Sequence, residues 1–212
     1  KIQKKAMFDR WRIFRHMPDW RFARVFLSSK KRDNRDDSLL LALIDEFEND
    51  GIHIASALDI VPELLAQAGC MTSRMPAPHE RADIAFGWIL AKELGRLDIG
   101  QSVAVRERAI LALEAIEGTD KAIERAGQLC PSGGFTVVKV AKPKQDMRFD
   151  VPTVGRSTIE TMIRARATCL AIETEKTIVI DTDQTIDLAN KHGISIISLT
   201  AEQAGATQQP WD

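Results

Sequence analysis

The sequence predicts an α/β protein in two domains, the carboxyl-terminal one a mixed sheet with helices packed on it. Short apolar runs at 102–106 and 109–115 have the alternation of strands, and segments with the apolar spacing of helices separate such runs. Glycines follow several of the helical segments, as they do where helices end. The chain has 212 residues and 44% hydrophobic content, which is enough to bury a core and allows one or two domains.

The elements follow one another along the chain. Leucines and isoleucines at helical spacing predict a helix over 37–50, which Gly51 ends. A short strand at 52–55 and a helix at 59–67 complete the amino-terminal part. In the rest of the chain we predict helices at 81–94, from Thr119 or Asp120 onward, at 157–167 and at 183–192; strands at 102–106, 109–115, 136–140, 168–173, 177–181 and 194–199, with 168–181 as an antiparallel hairpin; and a loose tail after Thr200.

Residues 71–80 are the predicted linker between the domains. This segment, MTSRMPAPHE, has two prolines separated by one alanine and flanked by polar residues, which favours an extended chain. Residues 1–70 then form the remainder of an amino-terminal domain. Residues 81–212 form the carboxyl-terminal domain that carries the candidate site.

Charge and cysteine usage exclude several classes of protein. The formal net charge of −1 argues against a protein that binds nucleic acid with its whole surface. The three cysteines are isolated and lack metal-ligand spacing, so we expect reduced thiols in a cytoplasmic protein. No apolar run approaches the length of a membrane span.

The first 37 residues differ from the average. They contain twelve Lys or Arg against five Asp, a local net charge of +7, with six Phe and Trp residues interleaved. A basic, aromatic and amphipathic segment is typical of a surface that lies on anionic lipid. The alternative is a pair of short helices whose aromatic side chains pack on protein and whose basic face is solvated. We expect residues 1–32 to contact a membrane surface.

Acidic side chains, basic side chains and helix amino termini are predicted to meet near strand ends between residues 98 and 150. Glu114 lies in an otherwise apolar strand, so it should belong to a site or form a buried ion pair with Arg148 or Lys139. Asp150 precedes a Pro-Thr-Val-Gly turn that opens a helix, and its alternative role is that of a turn-forming residue. A phosphate and a divalent metal together need such groups.

Three segments in this region carry a resemblance to a known family. They are DIGQ at 98–101, EAIEGTD at 114–120 and RFDVPTVG at 148–155. In this order they resemble the metal-dependent UDP-2,3-diacylglucosamine pyrophosphatases of bacterial lipid A synthesis. The resemblance is dense from about 97 to 199 and thinner before that. Family members open with a glycine-rich strand-turn-helix segment that is not seen here, so we expect the chain to be a fragment.

The resemblance implies an activity and a set of site residues. The implied reaction is hydrolysis of UDP-2,3-diacylglucosamine to 2,3-diacylglucosamine 1-phosphate (lipid X) and UMP, with Mg²⁺ or Mn²⁺ as cofactor. Asp150 falls on the family's catalytic aspartate. The predicted metal ligands are Asp150, Glu114, Glu117 and Asp120, and the predicted substrate or phosphate contacts are Asp98, Gln101, Gly118, Thr119, Lys139, Arg148 and Thr153.

The expected partners follow from this activity. They are a nucleotide-lipid substrate, a membrane surface and a second copy of the chain in a homodimer. We expect a cytoplasmic protein that binds peripherally to the inner membrane. Nucleic acid is not expected as a partner. The alternative function is a noncatalytic nucleotide-sugar or lipid-binding protein with the same fold. Metal-dependent release of UMP separates the two.

Overall fold

The computed structural model describes Val25, residues 36–143 and residues 145–205. The chain divides into two compact units, 1–56 and 57–212. In the first unit, helix α1 spans Asp36–Asn49, which confirms the predicted helix, and Gly51 follows it with a φ of 78°. Residues 52–55 form no strand, so that prediction was wrong. The basic segment, residues 1–32, lies outside the described residues except for Val25.

The second unit is built on a six-stranded mixed sheet, with a separate pair of short parallel strands beside it. The strand order in the main sheet is β1-β8-β6-β4-β2-β3, and β4, β6 and β8 are parallel neighbours at its centre. Strands β2 and β3 form an antiparallel hairpin beside them, and β5 pairs with β7 outside the main sheet. The strands are β1 Gly69–Cys70, β2 Ser102–Arg106, β3 Ala109–Leu113, β4 Phe135–Lys139, β5 Thr153–Val154, β6 Ala167–Glu173, β7 Ile178–Val179 and β8 Ser195–Leu199.

Helices cover both faces of this sheet. The central strands are almost continuously apolar because both of their faces are buried: Val137 faces one core cluster and Val138 the other. In the described part of the chain, no helix has the length and apolar character that crossing a membrane requires. The helices of this unit are α2 Pro78–Arg96, α3 Thr119–Leu129, α4 Arg156–Ala165, α5 Thr182–Lys191 and α6 Ala201–Gly205; α3, α4 and α5 contribute to one core cluster, and α2 and α6 to the other.

The predicted mixed α/β fold is confirmed, and three further local predictions differ from the structure. Strands β6 and β7 do not form a hairpin, because β6 lies between β4 and β8 while β7 pairs in parallel with β5. In place of the helix predicted at 59–67, the structure has single 3₁₀ turns at Ala57–Asp59 and Pro62–Leu64. The tail after Thr200 begins with α6.

The predicted linker, 71–80, is part of the second unit, and the division between units lies earlier, between Ser56 and Ala57. Residues 71–80 are bonded to the chain just before β8, where Arg74 Nε donates to Gly193 O at 2.7 Å. Arg74 also pairs with the buried Glu80 carboxylate at 2.7 Å. These bonds hold in place a segment whose two prolines suggested a free connection.

Candidate functional site

The predicted site residues gather at one edge of the main sheet. Strands β3, β4, β6 and β8 run in the same direction, so their carboxyl ends share this edge, and the amino end of β2 lies there too. Open α/β sheets bind their ligands outside the carboxyl ends of the strands. Asp98 and Gln101 precede β2; Glu114, Glu117, Gly118, Thr119 and Asp120 follow β3; Lys139 ends β4; and Arg148, Asp150 and Thr153 come after it.

A buried chain of hydrogen bonds joins three of these residues. Lys139 is 3% exposed, and its Nζ donates to Thr119 Oγ1 at 3.0 Å. Thr119 Oγ1 donates in turn to Glu114 Oε1 at 3.1 Å, and Ser102 Oγ lies 3.4 Å from the same hydroxyl. The one hydroxyl proton of Thr119 is used toward the carboxylate, so its lone pairs accept from Lys139. Buried charges of opposite sign are thus linked through one hydroxyl.

Lys139 also holds the chain segment that follows Asp150. Its Nζ donates to Thr153 O at 2.9 Å. The amide of Ile178 fixes the same segment from the other side by donating to Pro152 O at 2.8 Å. Lys139 was predicted as a phosphate contact; in the structure its ammonium is buried and bonded to protein oxygens.

Among the described residues, one carboxylate oxygen of Glu114 has no protein partner. The residue is 8% exposed, yet its Oε2 is buried and has no hydrogen-bond donor. The buried Gln101 Oε1, on the segment before β2, has no donor either. A buried acceptor left unsatisfied costs about 1–3 kcal/mol. Such an oxygen therefore indicates a place where a cation, a water or a ligand donor belongs.

The Asp98–Gln101 segment packs tightly on the end of β3. A β-carbon at Gly100 would lie 2.1 Å from Glu114 O, so only glycine allows this approach. The segment is held from its other end by Asp98, whose Oδ1 accepts from Lys142 Nζ at 2.7 Å. Position 100 therefore requires glycine.

The amino terminus of α3 opens onto the same edge. Gly118 precedes the helix with a φ of 85°, which glycine adopts without strain, and it supplies no side-chain cap. The first amides of α3 therefore have no capping side chain, and a helix amino terminus of this kind attracts anions.

The segment between β4 and β5 presents Asp150. Gln145 organises it, because its Nε2 donates to Asp150 Oδ2 at 2.8 Å while its Oε1 accepts from the Lys142 amide at 2.8 Å. Asp150 is half-buried, and no described residue donates to its Oδ1. Arg148 pairs with Asp146 at 2.7 Å, and its hydrogen bonds lower the pKa of the Asp146 carboxyl.

Glu173 anchors the start of this segment from β6. Its Oε2 accepts from Lys92 Nζ at 2.5 Å and from the Ala141 amide at 2.8 Å, and its Oε1 accepts from Lys176 Nζ at 2.9 Å. Burial works to raise the pKa of Glu173, but these hydrogen bonds outweigh it and lower the pKa. The carboxylate is therefore ionised and ties α2, β6 and the end of β4 together.

The predicted metal ligands Glu117 and Asp120 do not take part in the buried hydrogen bonds of Lys139, Thr119 and Glu114. Glu117 forms a close ion pair with Arg125, and Arg125 also donates to Leu113 O at 2.7 Å. Asp120 is exposed in the first turn of α3. No group of three or more Asp, Glu, His or Cys side chains suited to a metal occurs within the described ranges. The four predicted ligands therefore do not form such a group.

Thr153 and three unpredicted residues complete the edge. The Thr153 hydroxyl donates to Val151 O at 3.0 Å, so only its carbonyl takes part in the buried cluster. Sequence reasoning missed Ser102, Gln145 and Glu173. Glu173 had a usable signal, since it is a carboxylate in an apolar strand, as Glu114 was expected to be. Ser102 and Gln145 are ordinary polar residues that only the fold brings to the edge.

The structure is that of an α/β protein whose main sheet carries a buried carboxylate, a buried ammonium and an uncapped helix amino terminus at one edge. Comparison with known proteins identifies its family. The family model described as the LpxI C-terminal domain matches residues 67–197, and that of the LpxI N-terminal domain matches residues 1–64. The UDP-2,3-diacylglucosamine pyrophosphatase LpxI of Caulobacter vibrioides is 33% identical over 195 residues, which cover 88% of this chain and 70% of that protein. The chain belongs to the LpxI family.

Proposed function

We propose that this protein hydrolyses the pyrophosphate bond of UDP-2,3-diacylglucosamine to give 2,3-diacylglucosamine 1-phosphate and UMP, a step of lipid A biosynthesis. The observation that carries the proposal is the 33% identity, over most of the chain, to a protein named for this activity. The arrangement at the carboxyl edge supports it, because pyrophosphate cleavage needs anion-binding groups and carboxylates side by side.

The residues take separate roles in this proposal. Asp150 is the catalytic carboxylate that acts on the attacking water, and Gln145 orients it through the bond to Oδ2. The uncapped amides at Gly118 and Thr119 bind phosphoryl oxygens. Asp98, Gln101 and Arg148 line the same edge as substrate contacts; Asp98 is held by Lys142 and Arg148 by Asp146.

A divalent cation, Mg²⁺ or Mn²⁺, fits the oxygens available here. Magnesium is commonly bound by one or two carboxylates together with substrate phosphates. Glu114 Oε2, which is buried and without a donor, and Asp150 are the two carboxylates that would hold it, whereas the carboxylate of Glu117 is engaged by Arg125. When bound, the cation would neutralise charge on the phosphoryl oxygens.

The test is release of UMP from UDP-2,3-diacylglucosamine, measured by chromatography with added Mg²⁺ and with a chelator. We expect UMP and the diacylglucosamine phosphate in equal amounts, and loss of turnover with the chelator. The alternative, a noncatalytic nucleotide-sugar or lipid-binding protein, predicts binding of the nucleotide-lipid without UMP. Binding without turnover in the presence of Mg²⁺ or Mn²⁺ would contradict the hydrolase proposal.

The substrate carries two acyl chains, so the enzyme should work at a membrane surface. The basic and aromatic composition of residues 1–32 supports peripheral attachment there. Co-sedimentation with vesicles rich in anionic lipid should fall with added salt and with removal of residues 1–32. Equal binding to neutral and anionic vesicles would contradict this attachment.

A further inference from the structure

We propose that Lys139 is a positioning residue that holds the Asp150 loop to the amino end of α3, and that it does not contact the substrate's phosphates. This inference rests on the proposed hydrolase function for its kinetic consequence. Its structural consequence can be measured without any substrate.

The geometry joins three elements through one ammonium group. Lys139 ends β4, Thr119 begins α3, and Thr153 lies in β5, three positions after Asp150. The ammonium reaches Thr119 Oγ1 at 3.0 Å and Thr153 O at 2.9 Å, and the residue is 3% exposed. A group this buried, with both of these bonds directed to protein oxygens, is placed to fix the segments around it.

The charge of Lys139 is needed for this arrangement. A buried ammonium is costly unless an opposite charge compensates it, and Glu114 does so through the Thr119 hydroxyl. Within the described part of the chain, Lys139 and Glu114 are linked through the Thr119 hydroxyl, and Glu114 forms no ion pair with Lys139 or Arg148. Removing the ammonium would leave Glu114, already without a donor at Oε2, as an uncompensated buried carboxylate.

A shift at Thr153 would be passed to Asp150 over a short connection. Only Val151 and Pro152 separate the two residues, and the proline ring fixes its own φ. The Pro152 carbonyl is bonded to Ile178 as well, so Lys139 and β7 hold the loop from two sides. Loss of the Lys139 bond would remove one of these two attachments of the loop.

The chain offers a matched control in Lys92. This lysine lies at the same edge on α2, donates to Ala141 O at 3.0 Å and pairs with the Glu173 carboxylate at 2.5 Å. It therefore also links a buried carboxylate to the chain after β4, but it does not contact Thr153. Lys92→Met removes an ammonium of similar kind without touching the proposed link.

The experiment compares the parent, Lys139→Met and Lys92→Met by hydrogen–deuterium exchange and by steady-state kinetics. We expect Lys139→Met to increase amide exchange in 115–120 and 151–155, while Lys92→Met leaves 151–155 unchanged. With the nucleotide-lipid substrate, Lys139→Met should lower kcat about tenfold or more and change KM less than twofold, because misplacing a reacting group affects mainly the chemical step. A lysine that bound phosphate would instead raise KM.

Thr119→Val provides a second variant should Lys139→Met fail to fold. It removes the hydroxyl link and keeps the lysine, so exchange should rise in both 115–120 and 151–155. Unchanged exchange at 151–155 in either folded variant, or an equal rise there in Lys92→Met, overturns the positioning role. If the parent releases no UMP, the proposed hydrolase function fails, and the exchange result still decides whether Lys139 positions the loop.

Discussion

At the scale of single residues, Asp150 and Glu114 are held in different ways. Asp150 is half-buried, with Gln145 on one oxygen, whereas Glu114 is buried and its Oε1 takes part in the Thr119–Lys139 chain. Both residues were predicted, because a carboxylate in an apolar strand and an Asp within a family motif can be recognised from the sequence alone. It did not show that Thr119 would separate Glu114 from Lys139, since that depends on where the amino end of α3 meets the end of β4.

Asp150→Ala should lower kcat by on the order of a hundredfold or more, as losses of preorganised catalytic groups do. Binding of the nucleotide-lipid should largely remain, and the melting temperature should change little because a half-buried carboxylate with one side-chain partner contributes little to folding. The measurements are UMP release, equilibrium binding and thermal denaturation. Asp187→Ala, at an exposed position of α5, is the control, and parental turnover in Asp150→Ala would contradict the assignment.

Glu173 makes stability depend on acid pH. Its folded-state pKa is lowered, so the stability it contributes is fully present above the unfolded value of about 4.3 and is lost as the pH falls through the lower folded-state value. Glu173→Gln should lower the free energy of unfolding by about 1–3 kcal/mol at pH 7, and the difference from the parent should shrink below about pH 4. Urea denaturation across pH 3–7 measures this. Glu175→Gln, at the exposed neighbour, is expected to follow the parent, and a difference independent of pH would contradict the ionic role of Glu173.

At the scale of elements, apolar pattern and glycines predicted most of the helices and strands of the second unit. The pattern could not assign partners: 168–173 and 177–181 read as a hairpin because a short polar turn separates them, yet β6 is buried on both faces between β4 and β8. Burial of the central strand outweighed the local turn. The prediction of a helix at 59–67 was wrong, because Pro62 begins only a single 3₁₀ turn in the structure.

Gly100→Ala tests how the segment before β2 joins the end of β3. The new β-carbon would lie 2.1 Å from Glu114 O, and because this is a backbone contact the segment must move. We expect a loss of about 1–3 kcal/mol or more in the free energy of unfolding, together with reduced turnover because Glu114 is displaced. Gly205→Ala is a suitable control, since no atom lies within 4 Å of a β-carbon there. If Gly100→Ala retains parental stability and activity, this packing does not determine the site.

At the scale of the whole molecule, the sequence and the structure both divide the chain in two, but they place the division differently. The sequence drew attention to 71–80, where prolines and polar residues suggest a linker, while the compact units divide at Ser56 and Ala57 and the two family models meet between residues 64 and 67. The difference comes from Arg74, which bonds to Gly193, far along the sequence, and to the nearby Glu80, and so joins 71–80 to the second unit. Membrane attachment and the homodimer stay predictions.

Limited proteolysis distinguishes the two boundaries. Residues 52–56 have no regular structure, and Ile52 and Ile60 are 50% and 79% exposed, so thermolysin should cut first between residues 52 and 61. Trypsin has no cleavage site between Arg35 and Arg74, and it should spare Arg74 because that side chain is bonded within the folded unit. Mass spectrometry of the fragments identifies the cuts. Arg74→Met removes the bonds to Gly193 and Glu80, so thermolysin cleavage near Met75 should become faster. Early tryptic cleavage at Arg74 in the parent would instead show that 71–80 is a free linker.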